Sequence, residues 1–207
     1  MVKNVFEKMG WEVVGRQAYP TGSSDFSASL MKARAGGAQV ILPIFDMPQS
    51  GILVKQWKAM RIPAVMAGFI SPLAGPGSWD LFDQKIDGAM NCIFEIGNMP
   101  VPKVPKSVEF WNKYKDRYGM PLEAGHSPAP AYEMVYILKE AIERAGSIDG
   151  DAVVVELEKT DRMGAMGRLR FNDGHQIVYG EDPAETALGC MFQWQDGERV
   201  VVYPEAV

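Results

Sequence analysis

The stretch that decides the fold lies at residues 10–57, GWEVVGRQAYPTGSSDFSASLMKARAGGAQVILPIFDMPQSGILVKQW. Its β-branched start predicts a strand at residues 11–19, and Ser24 or Asp25 can cap the helix that follows the polar loop. AQVILPIF is continuously apolar, so it predicts a parallel strand covered on both faces. A second helix and the strand PAVMAGF come next. Two strand–helix–strand units in succession predict an α/β fold with a parallel, Rossmann-like sheet flanked by helices.

The second half of the chain changes in composition. DGAMNCIFEI predicts a fourth strand, and GNMPVPKVPK, with three prolines, predicts an irregular connection. Two helices should follow, each with one apolar face. These faces comprise Val108, Trp111, Tyr114 and Tyr118 in the first helix, and Val135, Leu138, Ile142 and Ala145 in the second. A further helix at residues 151–159, a half-buried strand at GRLRFND and a hairpin turning at Asp196-Gly197 complete the predicted elements.

Composition narrows the possible partners. The 207 residues are 47% hydrophobic and 23% charged, as in an ordinary globular protein, with a formal net charge of −5. We expect no nucleic-acid partner, because Lys and Arg are scattered and phosphate binding needs a concentrated basic face. No apolar run approaches the roughly 20 residues that cross a bilayer.

No cofactor or metal ion is expected. His126 and His175 lie in different segments, without a Cys or carboxylate at ligand spacing. Phosphate-cradling glycine loops, HExxH, paired CxxC and GxSxG are all missing, so the pattern predicts no enzyme. Cys92 and Cys190 fall in apolar strands, where free buried cysteine is common, although a disulfide remains an alternative.

The chain starts too soon for this fold. Residues 1–14 predict an amphipathic helix running into a strand, not a secretory signal. A unit of this kind normally follows an earlier half. We therefore expect the back portion of a larger protein, whose signal, if it is exported, lies upstream.

Three places are candidates for a ligand site. Phe45 and Asp46 end a buried strand, where ligands of open α/β sheets bind, although Asp46 can also be a loop acid near a helix start. Phe69 and Ser71 follow the next strand, although Phe69 can simply cover the sheet. His126 and Ser127 precede the long helix, and a lone histidine there can also be an ordinary loop residue.

Particular strings in this order resemble the type I periplasmic solute-binding proteins, specifically the branched-chain amino-acid (Leu/Ile/Val) group of ABC-transporter receptors. The matching strings include GWEVVGRQAYPTGSSDFSASLMKARAGGAQVILPIF, SGILVKQWKAMRIP, FWNKYKDRYGMP, AYEMVYILKEAIERAG, GRLRFNDGHQ and FQWQDGERVV. No single string is highly specific, but the ordered set covers nearly the whole chain.

The resemblance implies a two-lobed receptor that closes over a small solute. Residues 1–96 and 188–207 would form the second lobe. Residues 97–187 would form part of the first lobe, with crossover segments near 97–106 and 175–188. The implied partners are a small solute such as an amino acid and a membrane ABC permease. The full-length protein would be periplasmic or extracellular, and the exposed partial lobe could form a homodimer.

Carrying over the family's binding residues shows departures. Asp46 stands where these receptors usually have an aromatic residue, and Phe69 and Ile70 stand where an acid holds the solute's α-ammonium group. His126-Ser127 replaces another aromatic residue. Losing an ammonium-binding carboxylate costs several kcal/mol, about the penalty for an unpaired buried charge. Asp46 could supply that charge from its own loop.

Two rival functions remain open at this stage. The same fold can serve as a ligand-sensing regulatory module, which a fused signalling domain would favour over uptake. An α/β enzyme with a degenerate nucleotide site is supported by fold class alone.

Overall fold

The computed structural model describes residues 2–205 and residue 207, so Met1 and Ala206 lie outside this description, as does the side chain of Val2. The elements within these residues are α1 (Val2–Lys8), α2 (Ser27–Ala35), β1 (Val40–Ile41), β2 (Ile44–Phe45), α3 (Ser50–Ala59), β3 (Val65–Ile70), α4 (Ser78–Leu81), β4 (Met90–Ile93), α5 (Pro105–Tyr118), α6 (Pro128–Ala145), α7 (Gly150–Glu158), β5 (Asp161–Gly164), β6 (Gly167–Arg170), β7 (Cys190–Gln195) and β8 (Glu198–Tyr203). Short 3-10 helices lie at Ser71–Leu73 and Ile96–Asn98.

The central sheet has the strand order β1–β3–β4–β7–β8, with β2 also paired to β3. Strands β1, β2 and β4 all run parallel to β3, and α3 and α4 make the connections on either side of β3. The predicted α/β class with a parallel sheet is therefore confirmed. The hairpin β7–β8 adds two antiparallel strands, and its turn has positive φ angles at Asp196 (50°) and Gly197 (91°), as expected for this pair of residues.

The strand predicted at residues 11–19 is wrong. These residues are mostly exposed, and no backbone hydrogen bond joins them to any strand among the described residues. The β-branched content of WEVV makes a backbone suitable for a sheet, but a strand also needs a neighbour to pair with. The segment instead connects α1 to α2 as an extended loop.

The predicted strand AQVILPIF is divided in two at Leu42-Pro43, because proline has no N–H to donate to a ladder. The Pro43 carbonyl accepts the Phe69 N–H at 2.9 Å. A Cβ added to Gly68 would lie 2.1 Å from the Pro43 oxygen, so only glycine permits this approach. One face of the segment, with Leu42 44% and Ile44 69% exposed, is uncovered. The prediction that both faces are buried is therefore wrong.

Buried apolar side chains form two clusters. The sheet core draws on α2, α3, the central sheet and the segment up to Val104, and it resumes at Leu188. The helical core lies between these positions and comprises Phe110, Leu122, Ala129, Ile137, Ala165, Met166, Leu169 and Ala187. The antiparallel pair β5–β6 belongs to the helical core. The chain thus leaves the sheet core once, builds a smaller packed body and returns.

The long helix α6 ends at Gly146 as predicted, but it buries a different face from the predicted one. Its buried residues are Ala129, Glu133, Ile137 and Ala141. Val135 is 62% exposed and Leu138 is 44% exposed, whereas Ile142 and Ala145 are partly buried, so the predicted stripe is covered only in part. In α5, Tyr118 is likewise 63% exposed, although Trp111 and Tyr114 pack against the helical core as expected.

The two cysteines are both free. In the antiparallel register Cys92 lies opposite Met191, and Cys190 lies opposite Ile93. Directly opposed residues share a face and successive residues alternate, so the two thiols project from opposite faces of the sheet. Burial raises the pKa of the Cys190 thiol to about 12, which makes it an inert packing residue.

Candidate functional site

Strands β2, β3 and β4 have their carboxyl ends on the same side of the sheet. A loop from the helical core crosses these strand ends. Parallel pairing aligns Phe45 with Ile70, so the loops that begin at Asp46 and Ser71 are neighbours. The crossing loop is fixed by the Phe94 N–H, which donates to the Gly125 carbonyl at 3.0 Å. A Cβ on Gly125 would lie 3.0 Å from the Ala74 Cβ, so little space separates the two bodies here.

This junction brings together polar side chains from three loops. His126 Nε2 lies 3.5 Å from Asp46 Oδ2, and the Ser71 hydroxyl donates to Asp46 Oδ1. His126 Nδ1 lies 2.7 Å from Ser127 Oγ. The side chains of His126 and Asp46 are 40% and 59% exposed, so the group is open to a ligand. We name the residues Asp46, Ser71, Glu95, His126 and Ser127 the cleft cluster.

Three rings line the same place. The Phe69 ring centroid lies 5.6 Å from that of His126 and 4.6 Å from that of Phe94, and the Phe94 and His126 rings are 6.1 Å apart. Phe69 is buried, whereas Phe94 is 44% exposed. Phe69 therefore covers the sheet and backs the histidine at once, and Phe94 presents the aromatic surface that a ligand can reach.

Glu95 is the cluster member that sequence reasoning missed. Its Oε2 accepts the Asn98 side-chain amide at 2.9 Å and the Ser127 backbone N–H at 3.1 Å. Burial raises the pKa of the Glu95 carboxyl, although these hydrogen bonds and nearby His126 act in the opposite direction. Glu95 fell inside a segment predicted as strand, but β4 ends at Ile93. Its position just past a strand end, like that of Asp46, was the available signal.

Five of the six predicted site residues meet at this junction, and Phe45 does not. Its ring packs edge-on against Phe26 at 5.5 Å, at the margin of the sheet core. Phe45 thus anchors the end of β2 and leaves the adjacent Asp46 to face the cluster. Ser127 has φ of 81°, an unusual conformation for serine, and its N–H thereby bonds Glu95.

Neither a metal centre nor a membrane span is found in the part of the chain that the structure describes. No three His, Cys, Asp or Glu side chains are grouped so as to hold a metal ion. No helix among these residues is both long and apolar enough to cross a bilayer.

A family model described as periplasmic binding protein matches residues 1–181. The chain belongs to the periplasmic binding protein family. This is a periplasmic family of solute-binding receptors and not an enzyme family.

Individual proteins are similar to this chain over nearly its whole length. The Leu/Ile/Val-binding protein homolog 7 of Brucella melitensis is 27% identical over 210 residues, which is 97% of this chain and 50% of that protein. A putative branched-chain amino acid ABC transporter from Silicibacter pomeroyi superimposes with a TM-score of 0.80 at 18% identity, covering 99% of this chain and 54% of that one. A leucine-binding protein from Thermotoga maritima superimposes with a TM-score of 0.72 at 21% identity, covering 96% of this chain and 53% of that one. This chain spans about half the length of the relatives it matches.

Proposed function

We propose that this chain forms part of the solute-binding cleft of an ABC-type uptake receptor, and that the cleft cluster contacts the solute. The observation that carries this is the contact between Asp46 and His126. It joins the loop after β2, on the sheet core, to the loop before α6, on the helical core. Strand carboxyl ends are where ligands of open α/β sheets bind, and three neighbouring strands contribute polar residues here.

The lobe boundaries belong to the same proposal. We assign residues 1–96 and 188–207 to one lobe and residues 97–187 to part of another, with crossover segments near 97–106 and 175–188. The division of the buried side chains into two clusters supports this assignment. Met99, Val101 and Val104 pack with the sheet core, so the first crossover lies against the sheet body rather than free in solution.

Solute binding fits the cluster better than catalysis. Asp46, His126 and Ser127 have the composition of a nucleophilic triad, which also needs free N–H donors for an oxyanion. The residue after Ser127 is Pro128, which has no N–H. The Ser127 N–H already bonds Glu95, and the Ala129 N–H bonds Asn98 at 2.9 Å. Residues 127–129 therefore offer no free backbone N–H for an oxyanion, which favours solute binding over acyl transfer.

The partners we propose follow from the fold and from the exposed surface. The receptor would deliver an amino acid or related small organic solute to a membrane permease, from the periplasm. In this chain the exposed face of α6, where Met134 is 61% and Val135 62% exposed, would also support a homodimer.

Calorimetric titration of the chain with leucine, isoleucine and valine tests the cleft assignment. We expect weak binding, with dissociation constants of about 1 mM, because this chain contributes only part of the cleft. His126→Gln should abolish the heat of binding. His175→Gln is the matched control, since His175 pairs with Glu158 at 2.9 Å on the surface. Sub-micromolar binding by the monomer would contradict the proposal that the chain holds only part of the cleft. Equal binding by both variants would contradict the assigned site.

A further inference from the structure

The cleft cluster contains more acidic than basic side chains. Its two carboxylates, on Asp46 and Glu95, flank the His126 ring. Within residues 2–205 and 207, the only ion pair that either carboxylate makes is the one between Asp46 and His126, and no Lys or Arg is within ion-pair distance of them. With both carboxyls ionised, the cleft cluster therefore carries a net negative charge whether or not His126 is protonated.

Hydrogen bonds orient the Glu95 carboxylate through one of its two oxygens and leave the other oxygen available as an acceptor. Both protein donors, the Asn98 amide and the Ser127 N–H, bond Oε2. No described residue donates to Oε1, and this atom is not among the fully buried oxygens that lack a partner. The carboxylate is thus oriented by its neighbours and can still accept a charge-assisted hydrogen bond through Oε1.

Phe94 precedes Glu95 in the chain and supplies an aromatic surface beside it. Its ring is 44% exposed and is supported from behind by buried Phe69 at 4.6 Å. The face of an aromatic ring attracts cations, and aromatic side chains recognise ammonium groups in this way.

We propose that Glu95 and Phe94 select the solute by its ammonium group, with Glu95 Oε1 accepting the N–H and Phe94 contacting the cation. This rests on the proposed function, because it assigns a ligand chemistry to the same cleft. It moves cation recognition from the loops after β2 and β3 to the end of β4. A solute whose only charge is negative meets two carboxylates and is rejected.

Half-burial of Glu95 supports the same assignment. Burial holds the pKa of its carboxyl above the ordinary value, so the hydrogen bonds and His126 compensate the charged form only in part in the free protein. A bound ammonium group supplies that compensation. Acidification that protonates Glu95 should therefore release the solute.

Three probes with one carbon skeleton test the proposal: L-leucine, 3-methylbutylammonium, which lacks the carboxylate, and 4-methylpentanoate, which lacks the ammonium group. The readout is the ¹H–¹⁵N shift of the Ser127 amide, which donates to Glu95, in a titration of the full chain. We expect the leucine and 3-methylbutylammonium probes to shift this signal in a saturable way, and 4-methylpentanoate to leave it unchanged.

Two variants and a control separate the outcomes. Glu95→Gln keeps an oxygen acceptor for Asn98 and Ser127 but removes the charge, and it should weaken 3-methylbutylammonium binding by at least about tenfold. Phe94→Leu should weaken it less, by about threefold. Glu158→Gln, in the surface pair with His175, should change nothing.

The results distinguish a failure of the ammonium assignment from a failure of the proposed function. If 4-methylpentanoate binds as well as 3-methylbutylammonium, or if Glu95→Gln binds the cation unchanged, the ammonium assignment is wrong while the cleft remains a solute site. If none of the three probes shifts any amide of the cleft cluster, both the ammonium assignment and the proposed function are wrong.

Discussion

The sheet body and the helical body differ in how completely they use their apolar residues. In the sheet body Phe192 and Trp194 are almost fully buried, and Trp194 also donates its indole N–H to the Leu73 carbonyl at 3.2 Å. In the helical body α6 buries Ala129, Glu133, Ile137 and Ala141 while larger apolar side chains stay exposed. The comparison shows that burial depends on which neighbours an element has, and that the cleft cluster lies where a well-packed body meets a sparsely packed one.

The largest loss of stability is expected from a substitution in the sheet body. Trp194→Ala removes a 1% exposed ring that packs against Trp79 and Phe192, so we expect the free energy of unfolding to fall by about 3–5 kcal/mol. Urea unfolding followed by circular dichroism measures this. Val200→Ala, at a half-exposed position of the same hairpin, is the control. Equal losses in the two variants would show that the hairpin does not anchor the sheet core.

The helical body relies on a buried charge instead. Glu133 is 2% exposed, accepts the Ala165 N–H at 2.6 Å and pairs with Arg162 at 3.1 Å. Glu133→Ala should cost about 3 kcal/mol, because it leaves Arg162 and a buried N–H without this partner.

Glu140→Ala is the matched control for that variant. Glu140 contacts the same arginine from a more exposed position, so its loss should cost less than about 1 kcal/mol. Thermal or urea unfolding of the two variants side by side gives the comparison. If Glu140→Ala proves the more damaging, the helical core is not organised around Glu133.

The elements whose structure depends on nearby residues were predicted correctly from the sequence. Helices α2 and α3, strand β3 and the hairpin turn at Asp196-Gly197 follow from local patterns and turn chemistry, which depend on nearby residues. The strand at residues 11–19 and the buried face of α6 failed, because both require knowing which element lies alongside. Periodicity shows that a helix is amphipathic but not which of two apolar rows is covered.

The candidate site was partly predictable for the same reason. Asp46, Ser71, His126 and Ser127 were found from strand ends and a helix start, positions that sequence reveals. That Asp46 contacts His126, a residue 80 positions away along the chain, depends on how the crossing loop lies on the sheet edge. Glu95 was missed because the end of β4 was placed three residues too late, at Ile96 instead of Ile93, and a boundary error of that size is ordinary.

The junction itself should show a pH effect of moderate size. Since burial raises the pKa of Glu95 in the folded state, its contribution to stability is present at low pH and is lost as pH rises through that raised pKa. Glu95→Gln should therefore gain stability relative to the unchanged chain between about pH 4 and pH 7. The gain should be below about 1 kcal/mol, because the carboxyl is half exposed. Urea unfolding at both pH values measures it, and a relative loss at pH 7 would contradict the sign.

The smallest change in stability is expected from a substitution on the solvent-exposed face of α6. Val135→Lys should change the free energy of unfolding by less than about 0.5 kcal/mol, because Val135 is 62% exposed. Ile137→Lys, two residues away and 6% exposed, should unfold the helical body. Light scattering on the Val135 variant also tests self-association, which the added charge should weaken. Unfolding by Val135→Lys would show that the face predicted from sequence is the buried one.

The most direct test of the central claim, that the solute binds where the two bodies meet, is a map of backbone amide shifts in ¹H–¹⁵N spectra as L-leucine is added. We expect saturable shifts confined to the loops around Asp46, Ser71, Glu95 and His126, with α6 beyond Tyr132 unchanged. Shifts centred instead on the surface pocket lined by Tyr136 and Arg162, or no shift at any cleft-cluster amide, would contradict the claim.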